Sequence, residues 1–121
     1  MSVRIGNQTF KAEYLSTPEE IQRGMMGRNT LDGCMVFKMG RGHHSFWMKN
    51  CLIPLDIVFV LNNRITHLHP NCPIVDRHKM TPPTYTGIGD HVIEFPAGTC
   101  SNFKVGDKVM MYLGTPQNPV R

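Results

Sequence analysis

A cluster of polar and aromatic side chains precedes an apolar run near the middle of the chain. In "SFWMKNCLIPLDIVFV", residues 45–60, Trp47, Lys49 and Asn50 stand directly before a segment that has the pattern of a buried strand. An aromatic face stacks on sugar rings or bases, while ammonium and amide groups bind hydroxyl, carboxylate or phosphate groups. These residues indicate one wall of a pocket for a polar or anionic ligand. The alternative is a core Trp beside a lysine that merely extends to solvent.

Two acidic residues inside apolar runs are further candidates. Asp56 lies in "LDIVFVL" and Glu94 lies in "VIEFPAG". A buried carboxylate is unfavourable unless it is paired, so each residue is predicted either to form a structural ion pair or to belong to a site. Arg28, which follows a predicted helix, and Lys49 are the expected partners of Asp56.

The histidines are considered as metal ligands. His67 and His69 are two residues apart, so a strand would place both on one face, with His43 and His44 on a segment that could approach them. No HExxH or EF-hand pattern accompanies them, and we predict no metal site. The glycine spacing of phosphate-binding loops and the GxSxG nucleophile motif are also missing, so no cofactor is indicated.

The four cysteines show no CxxC pair and therefore neither a zinc knuckle nor a thioredoxin-type motif. We predict four free thiols, with two disulfides in an exported protein as the alternative. The N-terminus "MSVRIGNQTF" lacks the apolar core of a secretory signal, so a cytoplasmic location is expected. No apolar run approaches the roughly 20 residues of a membrane span.

Composition predicts one globular domain over residues 1–113, followed by a loose C-terminal tail over residues 114–121. Of the 121 residues, 40% are hydrophobic and 18% are charged, which is typical of an ordered domain. The net charge of +4 is spread along the chain. Its densest basic group, Arg77, His78 and Lys79, is too short to follow a phosphate backbone, so a nucleic-acid partner is not favoured.

Turn and capping signals place one short helix near the N-terminus. "VRI" and "QTFKAEYL" flank Gly6-Asn7 as a predicted hairpin. In "STPEEIQRGMMGR", Thr17 is suited to cap a helix and Glu20 to close a capping box. The pattern predicts a helix over about residues 18–26, with Gly27 as its left-handed stop. So short a helix must lie across a sheet or at the end of a barrel.

The remaining segments have the pattern of strands. "CMVFKM" is a short apolar strand, "GRGHH" is predicted to be a flexible loop, and Pro54 marks a strand boundary. Asn62-Asn63 joins two strands in a hairpin, and residues 70–90 are predicted to be a long loop with a possible role as a lid. "HVIEFPAG" and "KVMMYLG" complete at least six strands. The predicted fold class is α+β, mainly β, as a small antiparallel β-barrel-like domain with one short helix.

The motifs "RGMMGR", "CMVF", "SFWMKNCLIPLDIVFV", "VIEFPAG" and "VGDKV" resemble the DUF192 family of small bacterial, archaeal and phage proteins. The resemblance extends from about Phe10 to Val109 and implies a small β-barrel-like fold, while the family has no established activity. Many relatives carry an export signal, which makes an extracytoplasmic location the alternative. Relatives commonly have Thr where this chain has Cys51, so a role for that hydroxyl group does not transfer.

Three hypotheses of function follow, and the first is preferred. The first is a small binding module whose pocket takes a polar or anionic ligand, such as a saccharide or a peptide, with a site formed by the following residues: Arg28, Trp47, Lys49, Asn50, Asp56 and Glu94. The second is an enzyme that uses Asp56 or Glu94 as acid or base. The third is a structural or accessory protein that acts through a protein interface. A phage origin is one form of this hypothesis.

Overall fold

The computed structural model describes residues 1–76, 78 and 81–113. The elements are β1 (Ser2–Ile5), β2 (Gln8–Leu15), α1 (Pro18–Arg23), β3 (Cys34–Trp47), β4 (Leu55–Leu61), β5 (Arg64–Cys72), β6 (Thr84–Pro96), a 3-10 helix (Thr99–Asn102) and β7 (Val109–Tyr112). The predicted tail over residues 114–121 lies outside the described residues, as do Arg77 and Lys79.

All seven strands form one sheet in the order β5-β4-β6-β3-β2-β1-β7. Neighbouring strands are antiparallel except for β2 and β3, which are parallel. The sheet curls far enough that Arg64, at the start of β5, forms a bridge with Lys108, just before β7. The prediction of a small, mainly β, barrel-like domain with a short helix is confirmed.

The predicted turn signals act as expected at the β4–β5 hairpin. Asn62 and Asn63 have φ angles of 51° and 62°. Two consecutive positive φ angles define the turn whose twist matches that of two antiparallel strands, and Asn tolerates them better than most residues. Pro54 immediately precedes β4, so its role as a strand boundary is also confirmed.

The helix begins where the capping box predicts but ends earlier. The Thr17 hydroxyl accepts a hydrogen bond from the Glu20 N–H at 3.2 Å, and the Glu20 carboxylate accepts one from the Thr17 N–H at 3.0 Å. The predicted stop at Gly27 is wrong, because the chain leaves the helix at Gly24, with a φ of 45°. A Cβ atom at position 24 would lie 3.1 Å from the Phe37 ring, so glycine also permits this close approach.

The prediction of a flexible "GRGHH" loop is wrong, because β3 is one strand of 14 residues that runs through it. Residues 42–47 of β3 pair with residues 84–89 of β6, and the register shifts between Lys38 and Gly42. The glycines and histidines do not have the pattern of a strand, because this part of β3 is formed by its hydrogen bonds to β6, which is distant in the sequence. For the same reason the predicted loop over residues 70–90 is shortened at both ends by β5 and β6.

The strands β4 and β6 bury side chains on both faces of the sheet. One face, which we call the barrel face, carries Val58, Val60, Ile93 and Phe95 and packs against β1, β2 and β7. The other, which we call the helix face, carries Ile57, Phe59 and Val92 and packs against Met25 and Met48 from the connections that follow α1 and β3. Each face of the sheet therefore has its own hydrophobic core.

Candidate functional site

A cavity of about 430 Å³ opens on the helix face, between α1 and the second half of β3. Its exposed lining residues, which we call the rim, are Gln22, Arg23, Ser45, Trp47, Lys49 and Asn50. Its buried and half-buried lining residues, which we call the interior, are Ile21, Gly24, Met25, Met26, Phe37, Met39, Phe46, Cys51 and Glu94. The rim is polar apart from one aromatic ring, and the interior is almost entirely apolar.

Two connections are tied together to form the mouth of this cavity. Met26, after α1, forms an isolated bridge with Cys51, after β3. The Gly27 N–H donates a hydrogen bond of 2.9 Å to the carbonyl oxygen of Asn50, which has a φ of 59°. These contacts hold the turn after β3 against the end of the helix. Trp47 and Lys49 therefore stand at the opening.

Trp47 and Lys49 form a pair at the rim. The Lys49 Nζ atom lies 5.1 Å from the centroid of the Trp47 ring, within the range of a cation–π contact. The Trp47 side chain is 44% exposed, so the alternative of a core Trp is wrong. Asn50 lines the same opening, so the structure brings together the three residues of the "SFWMKN" cluster.

Glu94 is the acidic residue of the interior. It is 3% exposed, and its register partners Met35 and Ile57 are apolar neighbours on the helix face. Among the described residues, no salt bridge involves its carboxyl group, and burial is the sole cause of its pKa shift, with no hydrogen bond contributing. Burial raises the pKa of Glu94 from 4.5 to about 8. The carboxyl group is therefore largely protonated at neutral pH.

Asp56 lies on the opposite face of the sheet. Its register partner in β6 is Phe95, and both residues face the barrel core. Its two carboxylate oxygens accept hydrogen bonds from the backbone N–H groups of Asn71 at 2.7 Å and Cys100 at 2.8 Å. The predicted ion pair with Arg28 or Lys49 is wrong, because the chain satisfies this carboxylate with backbone amides.

Arg28 pairs with an acidic residue that the sequence analysis did not consider. Its guanidinium group donates two hydrogen bonds of 2.7 Å to the two carboxylate oxygens of Glu13 in β2. This bidentate contact lowers the pKa of Glu13. Arg28 does not line the cavity. Of the six predicted site residues, the structure brings together Trp47, Lys49, Asn50 and Glu94, and it places Arg28 and Asp56 elsewhere.

Two histidines of β5 pack against an aromatic ring of β4. His67 and His69 lie edge-on to Phe59, with ring centroids 6.1 and 5.7 Å away. In the described part of the chain, no group of three His, Cys, Asp or Glu side chains is arranged to hold a metal ion. All four cysteines have free thiols, as predicted. Burial raises the pKa of the Cys51 thiol to about 12, so a thiolate is not available at neutral pH.

Comparison with known proteins agrees with the motifs. The DUF192 family, described as "Uncharacterized ACR", matches residues 1–111. This chain belongs to the DUF192 family. No curated protein shows significant similarity to it. Among the helices that the structure describes, none is long and apolar enough to cross a membrane.

Two solved structures resemble this DUF192 protein over most of its length. A protein of unknown function from Novosphingobium aromaticivorans is 31% identical, with a TM-score of 0.79 over 91% of this chain and 84% of that chain. A protein from Sinorhizobium meliloti, provisionally described as a transcription regulator, is 24% identical, with a TM-score of 0.80 over 90% of this chain and 91% of that chain. The second likeness supports the fold alone.

Sequence reasoning missed most of the wall that α1 and β3 contribute to the cavity. Arg23 was assigned no role, and Ser45, Phe46 and Met39 belong to a strand whose extent was not recognised. Lys49 belongs to the cluster that the sequence identified, whereas Arg23 falls inside the predicted helix, where no local pattern marks it as a cavity residue. Both residues line one cavity, and the bridge between Met26 and Cys51 that holds their two connections together is indicated by no local pattern.

Proposed function

We propose that this DUF192 protein is a small binding module whose cavity takes a polar or anionic ligand. The observation that carries the proposal is a pair of basic side chains at the mouth of an apolar cavity, Arg23 and Lys49, neither of which forms a salt bridge with the described residues. The exposed Trp47 ring beside them offers a flat apolar contact. A volume of about 430 Å³ is within the usual range for small-molecule pockets.

The enzyme hypothesis has less support. Asp56 is unsuited to act as an acid or base, because both of its oxygens accept backbone hydrogen bonds on the other face of the sheet. Glu94 has a pKa in the range of a general acid or base, but no described residue forms a hydrogen bond with it. No feature of the cavity supports the interface hypothesis. The description of the Sinorhizobium meliloti protein as a transcription regulator also finds no support there.

The sole Trp of the chain makes the binding proposal testable without a label, because Trp47 stands at the rim. We expect hexanoate to change the fluorescence of Trp47 in a saturable way, whereas hexan-1-ol, which has no charge, has a much weaker effect. Lys49→Met should weaken hexanoate binding about ten-fold, because it removes the charge and keeps the length of the side chain. Lys38→Met, at an exposed lysine outside the cavity lining, is the matched control.

The same variants separate a binding role of Lys49 from a structural one. Lys49 is exposed and has no acidic partner among the described residues, so Lys49→Met should change the free energy of unfolding by less than about 0.5 kcal/mol. Urea denaturation of the two variants and the wild type measures this. A loss of roughly 3 kcal/mol for Lys49→Met, together with no response to hexanoate in the wild type, would refute the proposed function.

A further inference from the structure

The cavity separates its charged groups by depth, and the separation indicates the class of ligand. Basic side chains stand only on the exposed rim, whereas the carboxyl group of Glu94 is buried in the interior. We propose that the ligand carries an ammonium group at its inner end and an acidic group at its outer end, joined by an apolar chain, with Glu94 as the partner of the ammonium group. This inference rests on the proposed function and deepens it.

The interior is lined by groups that attract a cation and not by groups that bind an anion. It contains the rings of Phe37 and Phe46, whose centroids lie 5.0 Å apart, and the thioether groups of three methionines. Aromatic faces attract cations, and thioether sulfur atoms are weak acceptors. No amide or basic side chain belongs to the interior as the structure describes it. An anion there would find no N–H donor from a side chain, whereas an ammonium group finds acceptors and a carboxyl group.

Glu94 needs such a partner in order to be ionised at neutral pH. An ionised carboxylate without a partner is costly in an apolar interior, and no hydrogen bond or charge from a described residue offsets the burial of Glu94. The other titratable groups near it are the thiols of Cys51 and Cys72, whose pKa values burial raises to about 12 and about 11. Both thiols are neutral at neutral pH. A ligand ammonium group is therefore the cation that would let Glu94 release its proton.

The rim selects the outer end of the same ligand. Arg23 and Lys49 repel a simple amine as it enters, and they attract a ligand whose outer end is a carboxylate or another acid. An amine with no acid meets like charges at the mouth, and an acid with no amine leaves Glu94 without a partner. A zwitterion whose charges are separated by an apolar chain can place its ammonium group beside Glu94 in the interior and its acidic group beside Arg23 and Lys49 at the rim.

Three probes of similar length test this assignment: 6-aminohexanoate, hexanoate and hexylamine. In titrations followed by Trp47 fluorescence, we expect 6-aminohexanoate to bind the wild type at least about ten-fold more tightly than either of the others. Glu94→Gln, which keeps the shape and removes the ionisable group, should reduce the advantage of 6-aminohexanoate over hexanoate to less than about two-fold. Lys38→Met should retain the full advantage.

A second measurement does not depend on any variant. Because Glu94 has a pKa of about 8, binding of 6-aminohexanoate at pH 7 should release roughly 0.9 proton per ligand. Calorimetric titrations in phosphate and in Tris, which differ in ionisation enthalpy, measure that number. Hexanoate should release none, since it leaves Glu94 protonated. A merely structural role of Glu94 predicts no proton release with any probe.

The outcomes distinguish this inference from the proposed function. If hexanoate and 6-aminohexanoate bind equally well, and Lys49→Met weakens both, the inference is overturned and the proposed function stands. The inference is also overturned if the amino group improves binding equally in Glu94→Gln, or if no proton is released on binding. If none of the three probes alters Trp47 fluorescence, both proposals are overturned.

Discussion

Asp56 and Glu94 are two buried carboxyl groups on neighbouring strands, and the chain treats them in opposite ways. Asp56 accepts two backbone hydrogen bonds on the barrel face, whereas no hydrogen bond from the described residues affects the pKa of Glu94 on the helix face. They differ by one position in the β4–β6 register, since Asp56 lies opposite Phe95 and Glu94 lies opposite Ile57. Burial alone therefore does not mark a functional acid. The two carboxyl groups differ in their hydrogen-bond partners and not in their burial.

The covering elements explain the difference between the two faces. The barrel face is closed by β1, β2, β7 and the 3-10 helix, and the 3-10 helix brings the Cys100 N–H to Asp56. The helix face is covered by a helix of six residues and two connections, which leave the cavity beside Glu94. A complete cover supplies partners for a buried acid. An incomplete cover leaves the acid beside an open cavity.

The largest expected effect is that of removing the satisfied carboxylate. Asp56→Ala leaves the buried N–H of Cys100 and the N–H of Asn71 without an acceptor, and it creates a cavity in the barrel core. We expect the free energy of unfolding to fall by roughly 4 kcal/mol or more, measured by urea denaturation. Asp32→Ala, at a highly exposed aspartate, is the matched control and should have little effect. A loss below about 1 kcal/mol for Asp56→Ala would remove the contrast between the two acids.

The second largest expected effect is a pH dependence of the free energy of unfolding that is caused by Glu94. Its pKa rises from 4.5 to about 8 on folding, so its stabilising contribution is complete below about pH 4.5 and is lost as the pH rises through 8. Between pH 5 and pH 8 this amounts to roughly 3 kcal/mol. Glu94→Gln does not titrate and should lack this loss, so it should become more stable than the wild type towards pH 8.

Urea denaturation of the wild type and Glu94→Gln at pH 5, 6, 7 and 8 measures this difference directly. Other groups, such as Glu13 with its lowered pKa, contribute equally to both proteins and cancel in the comparison. Parallel curves for the two proteins would mean that Glu94 ionises in the folded state much as it does in the unfolded state.

A smaller effect tests the cover of the helix face. Thr17 caps α1, and Ile21 and Arg23 on this helix line the cavity. Thr17→Ala should lower the free energy of unfolding by about 1 kcal/mol and weaken hexanoate binding, because the N-terminal turn of the helix loses its cap. Thr9→Ala, at an exposed threonine in β2, serves as the control. Unchanged stability and binding in Thr17→Ala would mean that α1 does not depend on this cap.

Local signals in the sequence predicted the elements that local chemistry decides. The capping box at Thr17 and the Asn62-Asn63 turn are confirmed because each depends on residues within a few positions of it. The start of β4 after Pro54 follows from the missing N–H donor of proline. The motifs also identified the family, and with it the barrel-like fold.

The candidate site was predicted only in part, because it depends on register and on distant contacts. The sequence predicted for both Asp56 and Glu94 either a structural ion pair or a place in a site. Only the pairing of β4 with β6 places the two residues on opposite faces. Glu13 in β2 and Arg28 in the connection after α1 are 15 residues apart, and no local pattern indicates their contact. The "SFWMKN" cluster was found because its residues are contiguous.

The central claim is that Glu94 is a buried acid that the protein leaves without a partner and holds protonated beside the cavity. NMR titration of the side-chain carboxyl carbons in protein labelled at glutamate measures its pKa directly, with Glu94→Gln to assign the signal. A Glu94 signal that titrates near pH 8, while the Glu13 signal titrates below its usual range, is the predicted result. A Glu94 pKa near its ordinary value of 4.5 would contradict the account, because it would mean that burial beside the cavity does not disfavour the ionised carboxylate.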